Sequence, residues 1–390
     1  MRGALMESTL EFIRSVYGEG FVPLHRPAFE GHEAKYVSET IDTNFVSSVG
    51  QRVVDFEDCI SGFTGARHAV AIVNGTSALH MALMIAGVSR GDEVLTQALT
   101  FVATCNALSY IGAQPVFLDV DRDTMGLSPD AVRNWLKTNA IQREGAAFNR
   151  TTGARISACV PMHTFGMPAR IQALVDVCDE FGIPVVEDAA ESLGSYVGDI
   201  HTGRFGKLGV ISFNGNKIVT TGGGGMIITD DLDLAKRAKH LSTTAKKPHA
   251  WEYDHDEIGY NYRMPNLNAA LGVAQMERLP AMLEIKAEVA AAYAAFCEKA
   301  GLEFVGTPAG TRPNYWLNAI LLSSLEERNE FLAASNSVGI MTRPVWKLMT
   351  HLTMFRDCQR DALANSLWLE ERLVNIPSSV PDKDFRRLRQ

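Results

Sequence analysis

The chain has 390 residues, 46% of them hydrophobic, and a formal net charge of −8. That is enough apolar material for a large core and a second, smaller unit. The Lys and Arg residues are scattered, without the positive footprint that nucleic acid or an anionic membrane surface requires.

Near the N-terminus, Leu10, Ile13, Val16 and Tyr17 recur at helical spacing. They predict an amphipathic helix within residues 1–20 rather than a secretory signal. From Arg67 to Asp230, short apolar runs alternate with helical patterns. The expected strands are HAVAIV (68–73), EVLTQAL (93–99), QPVFLDV (114–120), ISACVPM (156–162), IPVVEDA (183–189), VISFN (210–214) and GMIITD (225–230). Continuous rather than alternating apolarity marks strands covered on both faces. Strand–helix alternation predicts an α/β domain around a mostly parallel sheet. The last two runs are too close for a crossover helix and are expected to pair directly. Residues 137–156 read as an inserted surface loop or a small hairpin. From Asn266 a long helical pattern begins, with a bend expected at Pro280. LEFV, NYWLNAILL and SVGIMTRPV then suggest strands of a smaller α+β unit. The expected organisation is a helix in 1–20, a large α/β domain in 21–265 and a small domain in 266–390. No apolar run approaches a membrane span. Six cysteines (Cys59, Cys105, Cys159, Cys178, Cys297 and Cys358) show no C-x-x-C spacing. Free thiols in a reducing cytoplasm are expected, without disulfides or a metal site.

In an open parallel sheet, ligands sit beyond the carboxyl ends of the strands. Four features fall there. NGTSALHMAL follows the first strand, and Thr76 or Ser77 would serve as N-cap. Its free N–H groups and hydroxyls would suit a phosphate, although a plain capped helix explains the pattern equally simply. Phe101 follows the second strand and is either core or a plate for a planar ligand. Asp188 ends an apolar strand, where an unpaired carboxylate is costly, so a cationic partner is expected; helix capping is the simpler alternative. Glu187 should point to the opposite face. Lys217 sits in SFNGNKIVTTGGGGMIITD among Ser212, Asn214 and Asn216. A solvated loop lysine is the commonest meaning, and the lysine-before-glycines order is wrong for a nucleotide P-loop. Pyridoxal phosphate would use all four features: a helix terminus for its phosphate, a lysine for its aldehyde, an anion for its ring nitrogen and a ring to stack on. A nicotinamide-type oxidoreductase lacks the glycine fingerprint after the first strand.

The stretches VNGTSALHMAL, ALTFVATCNAL, VPMHTFG, VVEDAAESLGS, SFNGNKIVTTGGGGMI and GYNYRMPNLNAALGVAQ occur in order between about Val22 and Ser379. On them the chain resembles the DegT-type sugar-nucleotide aminotransferases, a branch of the fold-type I pyridoxal phosphate enzymes. That resemblance implies a seven-stranded large domain and a smaller α+β domain. It implies that Lys217 carries pyridoxal 5'-phosphate as an internal aldimine and shuttles protons, with pyridoxamine phosphate as the intermediate cofactor form. Asp188 would pair with the pyridine nitrogen, Phe101 would stack on the ring, and Thr76, Ser77 and Ser212 would hold the phosphate. Glu191 would lie near the ring hydroxyl, and His163 and Ala190 would line the pocket. Asn261 would reach the phosphate of a neighbouring subunit, so an obligate cytoplasmic homodimer is expected.

Some relatives carry histidine at the lysine position and are dehydratases; Lys217 therefore favours transamination. The implied donor is L-glutamate, leaving 2-oxoglutarate. NFVSSVG, SFNGNKIVTTGGGG, AKKPHAWEYDHDEIGYNYRMPN and GIMTRPVWKLM are most similar to the subgroup acting on UDP-4-keto-6-deoxy-N-acetylglucosamine. That subgroup serves routes to legionaminic acid or diacetamido-trideoxy sugars of surface polysaccharides. A GDP-linked substrate and a non-catalytic regulator on the same fold are the alternatives. Trp316, Arg343, Trp346 and His351 are candidates for contact with the sugar nucleotide, with core packing the alternative for the tryptophans. The glycine run is expected to give the backbone room for close approach.

Overall fold

The computed structural model describes residues 3–381. Met1, Arg2 and residues 382–390, which the expected N-terminal helix and C-terminal domain include, lie outside the described residues. Three helices come first: α1 (Gly3–Tyr17), α2 (Glu33–Asp42) and α3 (Gln51–Thr64). An alternating series follows: β1 (His68–Ile72), α4 (Gly75–Ala86), β2 (Glu93–Gln97), α5 (Val102–Ile111), β3 (Gln114–Leu118), α6 (Pro129–Asn139) and β4 (Ile156–Val160). After these come α7 (Ile171–Asp179), β5 (Val186–Asp188), β6 (Leu208–Ser212), β7 (Gly225–Thr229), α8 (Leu232–Ser242) and α9 (Asn266–Ala300). Between α6 and β4, residues 140–149 form a two-stranded antiparallel hairpin, the small hairpin expected there.

Backbone pairing gives the order β1–β7–β6–β5 on one side and β4–β2–β3 on the other. Parallel bridges Cys159–Val185 and Met162–Asp188 join β4 to β5, completing a seven-stranded sheet. Only β7 runs against its neighbours, pairing antiparallel with both β1 and β6. The expected direct pairing of the last two strands is thus observed, and the mostly parallel α/β architecture with it. Helices cover both faces, which explains the continuous apolar runs. On one face, Leu79, Met81 and Leu83 of α4 pack on Val70, Val210 and Ile227. On the other, Phe56 and Ile60 of α3 pack with Ile211, Met226 and Ile228.

Helix α9 passes through Pro280 without a break in its assignment. Its first half, through Ala269, Val273, Met276 and Leu279, joins the core containing Val53 and Phe56. Its second half, through Val289, Tyr293 and Cys297, joins a separate core with Ile13 and Val16 of α1 and with Ile320, Phe331 and Val374. The short strands of this second unit are β8 (Glu303–Phe304), β9 (Asn318–Leu321), β10 (Arg343–Pro344) and β11 (Leu373–Ile376), ordered β8–β9–β11–β10. Among the described residues no helix is long and apolar enough to cross a membrane. All six cysteines are free.

Candidate active site

A cavity of about 320 Å³ opens at the carboxyl ends of β1, β5 and β6. Its wall includes Thr76, Phe101, Asp188, Ala190, Glu191, Ser212 and Lys217, residues that span more than 140 positions of sequence. The topology explains the convergence. Each residue follows a strand end, and the parallel strands all end on the same edge of the sheet.

The start of α4 departs from expectation. Its N-cap is Asn74, whose side-chain oxygen accepts the Ser77 N–H at 2.8 Å. Thr76 and Ser77 therefore lie in the first turn, which leaves their hydroxyls outside the capping role. Asn, Thr and Ser all cap well, so N-G-T-S offers three possible starts. Gly75 lies directly against Ser212: a Cβ on Gly75 would come within 2.8 Å of the Ser212 Cβ. The helix terminus and the Ser212 hydroxyl are thereby brought to one place, as anion binding needs. Thr76 and Ser212 are in the cavity wall, whereas Ser77 sits beside the hydroxyl of Tyr262. Gly225 makes the other close approach, since a Cβ there would lie 2.6 Å from the Asn74 backbone. The end of the glycine run thus lets β7 pass under the start of α4.

Asp188 is buried, and its partners are neutral. Its Oδ2 accepts the Thr104 hydroxyl at 2.8 Å, and its Oδ1 accepts the Ala190 N–H at 3.2 Å. Burial raises its pKa, opposed mainly by the Thr104 hydrogen bond. The cationic partner expected from sequence is therefore not a contacting side chain, and the carboxyl faces the cavity. Thr104, in the first turn of α5, gave no sequence signal. Glu187 points the other way, as expected. Its carboxylate accepts the backbone N–H groups of Gly203 (2.7 Å), Phe205 (2.6 Å) and Gly206 (2.7 Å) and lies 2.9 Å from His163 Nε2. His163 Nδ1 accepts the Ala169 N–H at 3.1 Å. Both nitrogens of His163 are engaged behind the sheet edge, and the residue is absent from the cavity wall.

The Lys217 amine lies 3.1 Å from Glu191 Oε1 and 3.9 Å from the centroid of the Trp316 ring. Glu191 is 3% exposed, and burial pushes its pKa up to about 7. Its Oε2 accepts the Phe165 N–H at 2.9 Å. Asn314, which the sequence did not single out, donates to the carbonyls of Glu191 and Leu193 and fixes the Trp316 N–H. Trp316 in turn donates from Nε1 to the Asn216 carbonyl at 2.7 Å, beside Lys217. Gln97 is a second unforeseen support. Its amide oxygen accepts the N–H groups of Leu127 and Met162, and Met162 lines the cavity.

Phe101 is 46% exposed in the cavity wall, its ring 5.9 Å from that of Trp346. Trp316 and Trp346 also line the cavity, so two of the four candidate sugar-nucleotide residues are brought to it. The other two are not. Arg343 is exposed and bonded to Asn336, and His351 lies 3.0 Å from Glu370. Asn261 is exposed and lies outside the cavity wall.

Residues 27–383 match the model of the DegT/DnrJ/EryC1/StrS aminotransferase family. EpsN of Bacillus subtilis (strain 168), provisionally named a pyridoxal phosphate-dependent aminotransferase, is 36% identical over 83% of this chain and 81% of its own. The GDP-perosamine synthase of Escherichia coli O157:H7 is 34% identical over 92% of this chain and 93% of its own. Among solved structures, the aminotransferase TlmJ from Streptoalloteichus hindustanus superposes with a TM-score of 0.84 at 25% identity. It covers 95% of this chain and 97% of its own.

Proposed function

The chain belongs to the DegT/DnrJ/EryC1/StrS aminotransferase family, and on that premise we propose that it aminates a nucleotide-linked 4-keto-6-deoxy sugar. It is a pyridoxal phosphate-dependent sugar aminotransferase. The observation that carries the proposal is the convergence of Lys217, Asp188 and the Thr76–Ser212 cradle in one cavity.

The residues present fit pyridoxal phosphate. The close packing of Gly75 on Ser212 leaves a small hydroxyl-lined cradle at a helix start, suited to phosphate. Asp188 is buried without a contacting cation, suited to a protonated ring nitrogen. Lys217 would bond the aldehyde, Phe101 would stack on the ring and Ala190 would line the pocket. When bound, the cofactor supplies an electron sink for the pair released at the amine-bearing carbon. Burial raises the Asp188 pKa, and the Thr104 and Ala190 hydrogen bonds oppose that rise, favouring the charged form that would stabilise positive charge on the ring. Lys217, beside the site of proton transfer, acts as general base and then general acid. Trp316 and Trp346 form an aromatic wall that excludes water and suits the apolar face of a 6-deoxy sugar. L-Glutamate is the proposed amino donor.

Two substrate readings remain distinct in chemistry. The NFVSSVG, SFNGNKIVTTGGGG, AKKPHAWEYDHDEIGYNYRMPN and GIMTRPVWKLM motifs favour a UDP-linked 2-acetamido sugar, made for a surface polysaccharide. The similarity to GDP-perosamine synthase over nearly the whole length favours a GDP-linked sugar. Incubation with glutamate and a panel of UDP- and GDP-linked 4-ketosugars, with the product identified by mass and NMR, separates them. Formation of no amino sugar from any member would overturn the proposal.

We also propose that the site is shared between two copies of the chain. Asn261 is exposed, and in the segment just before it Trp251, Tyr253 and Ile258 are 78%, 81% and 87% exposed. Such a patch suits burial against a second copy.

A further inference from the structure

Glu191 touches the amine of Lys217, and its position is fixed by groups other than Lys217. One carboxyl oxygen is 3.1 Å from the amine, and the other accepts the Phe165 N–H at 2.9 Å. Asn314 holds the residue's own carbonyl at 2.8 Å. The groups facing Glu191 are Lys217 from the loop after β6, Asp188 from β5 and the Phe165 peptide from the turn after β4. Beyond Lys217 lies His25, which burial keeps neutral. Asp188 directs its oxygens to Thr104 and Ala190. Glu191 is therefore the carboxyl placed to receive the lysine proton.

We propose that Glu191 is a catalytic residue that exchanges a proton with Lys217. In the exchange, one N–H bond of the Lys217 ammonium breaks as an O–H bond forms on Glu191 Oε1. The ion pair becomes a neutral amine beside a neutral carboxylic acid, and the reverse step returns the proton. Total charge is unchanged and no co-reactant is needed. A carboxyl raised to about 7 by burial suits this exchange, because it takes up a proton far more readily than an ordinary carboxylate. The ordinary carboxylate range would leave the acid form too scarce. The inference rests on Lys217 being the reacting amine of the proposed function, but its test requires neither sugar nor cofactor.

The whole protein, stripped of cofactor, is pulse-labelled with a trace of acetic anhydride across a pH series. Acetylation of Lys217 is read by mass spectrometry. If the pair shares one proton, internal exchange rather than solvent pH sets the fraction of neutral amine. The labelling rate of the native protein is then flat from about pH 7, where Glu191 titrates, to about pH 8.5. In Glu191→Gln the amine loses protons only to solvent, and the rate climbs about tenfold per pH unit over the same span. A native profile that climbs tenfold per unit would overturn the proposal, and that outcome needs no variant to fold. Failure with every ketosugar would overturn the proposed function while leaving a flat profile intact.

Discussion

Glu187 and Asp188 are neighbours in one strand, yet their carboxyls serve opposite sides of the sheet. Glu187 is saturated by three backbone N–H groups and His163, while Asp188 faces the cavity with only Thr104 and Ala190 as partners. The two-residue period of a strand makes this division automatic.

The pair predicts a clean separation of phenotypes. Asp188→Asn should keep its stability and lose transamination by on the order of 100-fold or more, since a neutral amide cannot hold a protonated ring nitrogen. Glu187→Gln should do the reverse: it weakens a buried acceptor of several N–H groups, at about 3 kcal/mol. Urea unfolding and turnover per folded molecule check both. Unchanged kinetics in Asp188→Asn would show that the ring-nitrogen partner lies elsewhere.

Lys217→Ala should fold, as judged by circular dichroism, and should show neither a visible absorbance band with cofactor nor amino-sugar formation. Full activity in that variant would remove the lysine from the mechanism.

Gly75→Ala places a methyl 2.8 Å from the Ser212 Cβ, in the centre of the phosphate cradle. The helix itself tolerates alanine well. Cofactor affinity should fall about tenfold or more, and the clash should lower the unfolding midpoint as well. Equilibrium dialysis measures it, and native affinity would place the phosphate away from this helix start.

Burial raises Glu191 from 4.5 to about 7, so the folded protein holds this proton more tightly than the unfolded chain. Its contribution to stability is greatest below pH 4.5 and is lost as pH rises through about 7. The shift corresponds to about 3 kcal/mol at most. Relative to Glu191→Gln, the cofactor-free native protein should therefore lose stability across that window. A difference that stays constant from pH 4.5 to above pH 7 would mean that Glu191 is not raised in this way.

Asn261→Ala and Lys217→Ala should each impair the enzyme if sites are shared. Refolded together, they should recover about a quarter of native activity, because half of the dimers are mixed and each mixed dimer has one intact site. No recovery would confine Asn261 to its own subunit.

Residues at strand ends were the legible part of the site. Asp188, Ser212 and Lys217 each follow an apolar run, and local pattern alone places such residues on one edge of a parallel sheet. Helix capping was less legible, because Asn74 competes with two neighbours of similar propensity. Thr104, Gln97 and Asn314 carried no signal, since their roles come from side-chain bonds to segments distant in sequence. His163 illustrates the opposite limit. The family resemblance implies that it lines the pocket, but the neighbouring carboxyl Glu187 engages its ring on the other side. Arg343 and His351 follow the same logic, engaged by Asn336 and Glu370 respectively.

Helix α9 has a mechanical consequence. At 35 residues it is a rod about 52 Å long, anchored at each end in a different hydrophobic core. Pro280 lies inside the first anchor, flanked by Leu279 and Met282 of the same core, and lacks the N–H that would brace the rod there. Bending at the proline is therefore opposed by the main core on both sides of it. The proline removes a hydrogen bond from the rod without freeing the joint between the two cores.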